Sequence, residues 1–195
     1  MLSSIHPLGE RSRHNRWALT VTSFTIGSVL AGSAVGLLLG FAGSIVLADV
    51  APAVTLVATA AVILLAGGLD LFGVTPPGPS RQVNEHWIGA FRGWVYGGSF
   101  GVELGLGFLT YIVTWGVFAT LAAAFLTSSA GAGALVGATF GFGRSILLLA
   151  AGYVDRPSRL ISWNRGLVSA GPPVRRTAAL AFTVGGALMI VIGVM

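Results

Sequence analysis

Residues 97–107 read GGSFGVELGLG, and residues 141–145 read GFGRS. Each motif places one charged side chain, Glu103 or Arg144, inside a long apolar stretch, and these stretches run from about 96 to 126 and from 131 to 153. A charge at the centre of a lipid bilayer costs at least about 2.5–3.5 kcal/mol, so it needs a partner, a water-filled cavity or a function. We therefore predict that the two side chains meet inside a membrane.

The composition of the whole chain is that of an integral membrane protein. Of its 195 residues, 54% are hydrophobic and 9% are charged, whereas a soluble domain carries about 25% charged residues to cover its surface. Several apolar stretches are long enough for a helix to cross the hydrocarbon core. They predict an all-α, polytopic transmembrane bundle.

Polar turns divide the chain into about five spans within one integral membrane domain. The spans are predicted at about 17–47, 52–72, 96–126, 131–153 and 177–195. Residues 1–16 are predicted to form a cytoplasmic tail. Residues 81–94 are predicted to form either an interfacial amphipathic helix or a cytoplasmic loop anchored by aromatic side chains, and a second interfacial helix is predicted at 158–168. The prolines Pro172 and Pro173 should end the second of these helices before the last span. A sixth span arises if one of the long stretches is broken.

The basic residues predict the orientation of the chain. All of them are arginine, and all except Arg144 lie in segments 1–16, 74–95 and 154–176, whereas the turns 48–51 and 127–130 hold no basic residue. Basic residues collect on the cytoplasmic side of membrane proteins. We expect a bacterial-type plasma membrane protein with its N-terminus in the cytoplasm and its C-terminus outside. This placement of charge gives no support for a nucleic-acid partner.

Small residues recur at every fourth position along three of the spans. This spacing lets helix backbones approach closely in lipid, where apolar side chains gain little by meeting one another. We expect these residues to pack helices together. They are Ser28, Gly32, Gly36, Gly40, Gly97, Gly101, Gly105, Gly133, Gly137 and Gly141.

Spans one and two resemble spans three and four, which predicts an internal two-fold repeat. Gly32 and Gly36 correspond to Gly101 and Gly105, and the tripeptide Pro-Ser-Arg occurs at both 79–81 and 157–159. Many transporters are built from such repeats, with their site near the middle of the membrane. In a five-span arrangement the two pairs of spans share one orientation.

Glu103 and Arg144 are predicted to lie at the same depth. Glu103 lies nine residues beyond Trp94, near which the chain enters the membrane, and Arg144 lies nine residues before Tyr153. Nine residues are about 13 Å of helical rise, and an arginine fork can bind a carboxylate through two hydrogen bonds. Three interpretations stay open: the pair lines a path for an ion or small solute, it only fixes helix register, or one of the two groups extends to the membrane interface. Asp70 is either a third member of this cluster or an interfacial carboxylate that meets water or Arg81.

No catalytic set can be assembled from the sequence. The chain has no cysteine and three histidines, so disulfides and thiolate metal sites are excluded within it. No hydrolase constellation is recognisable. We expect a non-enzymatic protein without a metal or cofactor, whose partners are the lipid bilayer and either further copies of itself or a larger membrane complex.

The glycine-rich first span of each half and the segment GFGRSILLL at 141–149 resemble the LysE/CcdA-type superfamily of small membrane exporters and electron carriers. The resemblance implies an inverted repeat of three spans around a central site. The electron-carrying members use a membrane-embedded cysteine pair, which this chain lacks, and the prolines expected beside those cysteines are missing from spans one and three. No site residue is carried over.

Two functions follow from these observations. The first is a small inner-membrane transporter or permease-like protein that moves an ion or small solute past the pair formed by Glu103 and Arg144. The alternative is a non-enzymatic membrane subunit or scaffold whose glycine stripes pack against partner helices. A water-filled cavity reaching Glu103 favours the first, whereas a dry pair with glycine stripes facing lipid favours the second.

Overall fold

The computed structural model describes residues 5–78, 87–108, 112 and 114–194, and these residues form helices and turns without any strand. A 3₁₀ turn, Ala151–Tyr153, follows the seventh helix. The helices are α1 (Pro7–Ser12), α2 (Trp17–Val46), α3 (Pro52–Leu71), α4 (Trp87–Ala90), α5 (Gly93–Gly105), α6 (Gly116–Leu126), α7 (Ala130–Ala150) and α8 (Pro157–Val194). The prediction of an all-helical protein is confirmed for this part of the chain.

Three helical segments in the described part of the chain are long and apolar enough to cross a membrane. They are Trp17–Val46, Pro52–Leu71 and Ala130–Tyr153. A shorter apolar helix, Gly116–Leu126, has 11 residues, and at about 1.5 Å per residue it is too short to cross the core alone. The class of helical membrane protein therefore rests on three long helices.

α2 is the helix around which the others pack. α5 lies beside it in parallel, because Gly97 meets Thr20 and Gly105 meets Ser28. α7 lies beside it in the antiparallel direction, since Gly141 also meets Ser28 and Gly133 meets Gly36 further along. The glycines of α5 thus meet α2 from Thr20 to Ser28, and those of α7 meet it from Ser28 to Gly36.

A second pair of helices completes the bundle. α3 and α8 are antiparallel, with Gly67 close to Ala179 and Gly186 close to Ala60. α6 contacts α3 and also reaches the end of α2. α6 therefore connects the pair formed by α3 and α8 to the group centred on α2.

The glycine stripes pack helix against helix within this chain. At each of nine glycines, an added Cβ would lie less than 3.0 Å from a backbone carbonyl oxygen of a neighbouring helix or of the turn before α7. The fully buried Ser28 donates a hydrogen bond to the Gly141 carbonyl at 2.9 Å. The nine are Gly32, Gly36, Gly40, Gly97, Gly101, Gly105, Gly133, Gly137 and Gly141. These stripes lie inside the bundle and do not face lipid.

The stretch 96–126, predicted as one span, is divided into two helices. α5 ends at Gly105 and α6 begins at Gly116. Gly107 lies in the turn after α5 with φ of +80°, a backbone conformation that glycine adopts more readily than other residues. The start of α6 is held by Asp70, whose carboxylate accepts the Trp115 N–H at 3.1 Å. A tertiary contact and one glycine therefore break a sequence that reads as a continuous helix.

The prediction of a break at Pro172 and Pro173 is wrong. α8 continues from Pro157 to Val194, so the predicted segments 158–168 and 177–194 belong to one helix. Each proline removes one N–H donor and its ring crowds the preceding turn, but the hydrogen bonds in the rest of this helix of 38 residues remain. Position 195 lies outside the described residues.

The predicted interfacial helix at 81–94 is only partly covered by the structure. Residues 81–86 lie outside the described residues. Within the remainder, α4 ends at Ala90 and α5 begins at Gly93, so residues 87–94 do not form one continuous helix.

We expect Gly137→Ala to destabilise the bundle, because its methyl group would overlap the carbonyl oxygen of Gly32. Overpacking of this kind costs about 1–3 kcal/mol. The matched control is Gly143→Ala on the same helix, where no atom lies within 4 Å of the added methyl group and where alanine favours the helix by up to about 1 kcal/mol. Thermal unfolding of both variants in one detergent measures the difference. Equal midpoints would show that this contact does not limit stability.

Candidate functional site

The N-terminal segment folds against the bundle, so residues 5–16 do not form a free tail, while the cytoplasmic placement predicted for residues 1–16 stays a prediction. Ile5 is fully buried in a cluster with Phe24 and Tyr96. The Leu8 N–H donates to the Val154 carbonyl at 3.3 Å, which ties α1 to the end of α7. The segment therefore covers the region where α2 and α5 begin and α7 ends.

Glu10 is a fully buried carboxylate at the centre of this region. One carboxylate oxygen accepts hydrogen bonds from the Tyr96 hydroxyl and from the Arg13 guanidinium, the latter at 3.1 Å. The other oxygen accepts from the Thr20 hydroxyl at 2.9 Å. A buried charge is costly unless it is paired and hydrogen-bonded, and these three donors meet that requirement. Glu10 consequently joins α1 to both α2 and α5.

His6 caps the start of α1 in its neutral form. Burial lowers the pKa of His6, and the charge of nearby Arg13 acts in the same direction. A neutral imidazole can keep Nδ1 as an acceptor, whereas a protonated one cannot, and His6 Nδ1 accepts the Gly9 N–H at 3.1 Å. Pro7 follows at the first helical position, which suits a residue without an N–H.

A cavity of about 380 Å³ opens beside Glu10, between the first turns of α2 and α5. Thr20 and Gly93 form the part of its lining nearest to the Glu10 carboxylate. Arginine, histidine and two large apolar side chains line the remainder. Polar and charged groups in the described residues are therefore concentrated at this end of the bundle.

Glu103 and Arg144 do not form an ion pair in the part of the chain that the structure describes. The ion pairs in that part of the chain join Arg13 to Glu10 and Arg159 to Asp155. Glu103 is partly buried on α5, whereas the Arg144 guanidinium lies over the Phe140 ring, 4.8 Å from its centroid. The meeting of the two side chains predicted from the sequence is therefore not found in this structure, and a structural role for either residue alone stays a prediction.

Asp70 is buried near the end of α3, where it holds the start of α6. The Trp115 indole N–H also donates to the Val74 carbonyl at 2.9 Å, so one residue makes two bonds to the end of α3 and the segment after it. Neither bond involves Arg144. Arg81 lies outside the described residues. Asp70 thus acts as a connector between helices in this structure.

Sequence reasoning missed the cluster formed by Glu10, Thr20 and Tyr96. The order Ile5-His6-Pro7 carries a local signal, because a capping side chain before a proline is typical of a helix start. The burial of Glu10 has no local signal, since its partners Thr20 and Tyr96 are 10 and 86 residues away.

We expect Tyr96→Phe to destabilise the protein by about 1.5–3 kcal/mol, because it removes a buried hydrogen bond to a charged acceptor while it keeps the ring. Tyr153→Phe is the matched control, since Tyr153 is 47% exposed and its change should stay within about 0.5 kcal/mol. Chemical unfolding in detergent measures both. A Tyr96→Phe variant as stable as the control would contradict a structural role for the Glu10 cluster.

Comparison with known proteins finds neither a matching family model nor a matching solved structure. The chain is similar to curated proteins named methylamine utilization protein MauF. It is 31% identical to the Methylorubrum extorquens protein over an alignment of 162 positions, which covers 78% of this chain and 55% of that relative. It is 32% identical to the Paracoccus versutus protein over 147 residues, 73% of this chain and 54% of the relative. The Methylophilus methylotrophus protein is also 32% identical, over 150 residues, 74% of this chain and 52% of the relative.

The chain spans about half the length of the curated relatives it matches. These relatives are named for methylamine utilization and not for transport. The prediction of a transporter or permease-like protein is therefore wrong, and the alternative of a membrane subunit or scaffold agrees better with the relatives.

Proposed function

We propose that this chain is a membrane-embedded, non-enzymatic accessory protein of methylamine utilization that acts as a subunit or scaffold of a larger membrane complex. The observation that carries the proposal is the similarity to three MauF proteins, which extends over about three quarters of the chain. The similarity is thus not confined to one or two helices.

The internal contacts of the bundle support a scaffold role only through its rigidity, because the glycine stripes lie inside this chain and are not free to pack against partner helices. Three buried polar side chains, Glu10, Ser28 and Asp70, each connect two or more helical segments through hydrogen bonds. The glycine stripes bring backbones of α2, α5 and α7 into direct contact, and close packing of this kind favours one rigid arrangement. A rigid bundle can hold a partner in a fixed position.

We also propose that the protein is a multi-pass protein of a bacterial-type plasma membrane, with its N-terminus in the cytoplasm and its C-terminus outside. The arginine distribution supports this orientation, and the antiparallel course of α2 and α7 agrees with a chain that crosses the membrane more than once.

We expect alkaline phosphatase fused after residue 195 to be active and green fluorescent protein at the same position to be dark, because phosphatase needs the oxidising outer compartment to form its disulfides. Fusions of the same reporters after Phe72 serve as the control and should give the opposite pattern. Active phosphatase after Phe72 combined with inactive phosphatase after residue 195 would reverse the orientation.

A chimera tests the proposed function. In a Methylorubrum extorquens strain lacking MauF, we expect growth on methylamine to return when the aligned segment of MauF is replaced by the corresponding segment of this chain. The chimera keeps the relative's additional residues, so the difference in length does not decide the result. Growth on succinate is the control for general fitness. A stably expressed chimera that leaves methylamine growth absent would overturn the proposal.

Cell-free extracts distinguish an accessory role from uptake of the substrate. If the chain supports assembly of the methylamine-oxidising machinery, extracts of the strain lacking MauF should lose methylamine oxidation, and extracts of the chimera strain should regain it. Full oxidation in extracts of the deletion strain would contradict the accessory role, because lysis removes only the membrane barrier.

A further inference from the structure

We propose that the cavity between the first turns of α2 and α5 binds the phosphate group of an anionic membrane lipid. The cavity has a volume of about 380 Å³ and is lined by His14, Arg16, Leu19, Thr20, Arg92 and Trp94, among others. Neither the Glu10 cluster nor the proposed role in methylamine utilization requires it to be occupied. A failure of this proposal would leave those conclusions unchanged.

Two guanidinium groups supply the charge that a phosphate ester needs. Arg16 and Arg92 are exposed and immediately precede α2 and α5. Within the described residues neither side chain forms an ion pair with a carboxylate. The planar fork of arginine matches phosphate oxygens well. Because α2 and α5 are parallel neighbours, the two arginines lie at one mouth of the same cavity.

Among the residues that the structure describes, the nearest carboxylate, Glu10, does not compete for these arginines. Both oxygens of Glu10 already accept hydrogen bonds from Thr20, Tyr96 and Arg13, and Arg13 balances its charge. The cavity therefore carries a net positive charge from Arg16 and Arg92. The first turns of α2 and α5 have no side-chain cap, so their backbone N–H groups add a smaller positive potential on the same side.

The apolar lining favours a lipid over a soluble anion. Leu19 is 50% exposed and Trp94 is 55% exposed, and both line the cavity together with the arginines. Tryptophan is enriched at the headgroup level of membranes, and further along α2 the exposed side chains Ile26 and Leu30 continue an apolar surface along which an acyl chain can lie. Basic pockets between membrane helices on the cytoplasmic side bind anionic headgroups.

Thermal unfolding of the full chain in detergent tests this proposal with three probes: dioctanoyl phosphatidylglycerol, dioctanoyl phosphatidylcholine and inorganic phosphate. We expect phosphatidylglycerol to raise the unfolding midpoint in a saturable manner. Phosphatidylcholine at the same concentrations should give a smaller rise. Inorganic phosphate that saturates the effect at the same concentration as the lipid would assign the cavity to a soluble anion and overturn the proposal.

The variant Arg16→Gln/Arg92→Gln should bind phosphatidylglycerol about tenfold more weakly, or worse, because each basic residue contributes about equally to the attraction. The matched control is Arg156→Gln/Arg165→Gln, which removes the same charge from exposed positions at the start of α8 and should respond like the parent. Equal losses in both double variants would show an effect of net charge alone and would overturn the site.

A third variant tests whether the planar guanidinium groups contribute beyond their charge. Arg16→Lys/Arg92→Lys keeps both charges but loses the planar forks, so we expect binding between that of the parent and that of the glutamine variant. Lipid adducts counted by native mass spectrometry give a readout that does not depend on the unfolding midpoint. A glutamine variant that retains as many phosphatidylglycerol adducts as the parent would contradict the proposal even if its midpoint had changed.

Discussion

Direct backbone contact between α2 and its two neighbours is the constraint on which the rest of the structure depends. In lipid, apolar side chains gain little from meeting one another, so helices associate through close packing and hydrogen bonds. Ser28 lies where both contacts converge, because its backbone carbonyl approaches Gly105 of α5 and Gly141 of α7. The same residue donates its hydroxyl hydrogen bond to Gly141. Ser28 therefore fixes the axial position of both α5 and α7 along α2.

The close helix contacts could be anticipated from the sequence, whereas the pairing of the charged side chains could not. Four-residue spacing of glycine is a local property, and it marks a helix face wherever the partner lies. The expected meeting of Glu103 with Arg144 relied on depth alone and ignored rotation about the helix axis. Glu103 is two residues from both Gly101 and Gly105, about 200° around the helix, so it lies on the face of α5 turned away from α2.

Features that depend on distant parts of the chain were hidden for a different reason. The burial of Glu10 requires Thr20 and Tyr96, and the start of α6 requires Asp70. None of these partners lies within one helical turn of the group to which it is hydrogen-bonded, so no local sequence pattern predicts these contacts. The opposite holds for α8. Pro172 and Pro173 are a strong local signal for a helix break, but the helix continues on both sides of them.

The central position of α2 also has a consequence for biosynthesis. α2 is complete at residue 46, but the last residue of α7, its antiparallel neighbour, is Ala150. At about 5–20 residues per second, roughly 5 to 20 seconds of translation separate the two events. During that interval the small-residue face of α2 is covered by lipid instead of by α7. The mature arrangement therefore forms late, and a chain arrested before Ala130 leaves one side of its own central helix without a partner.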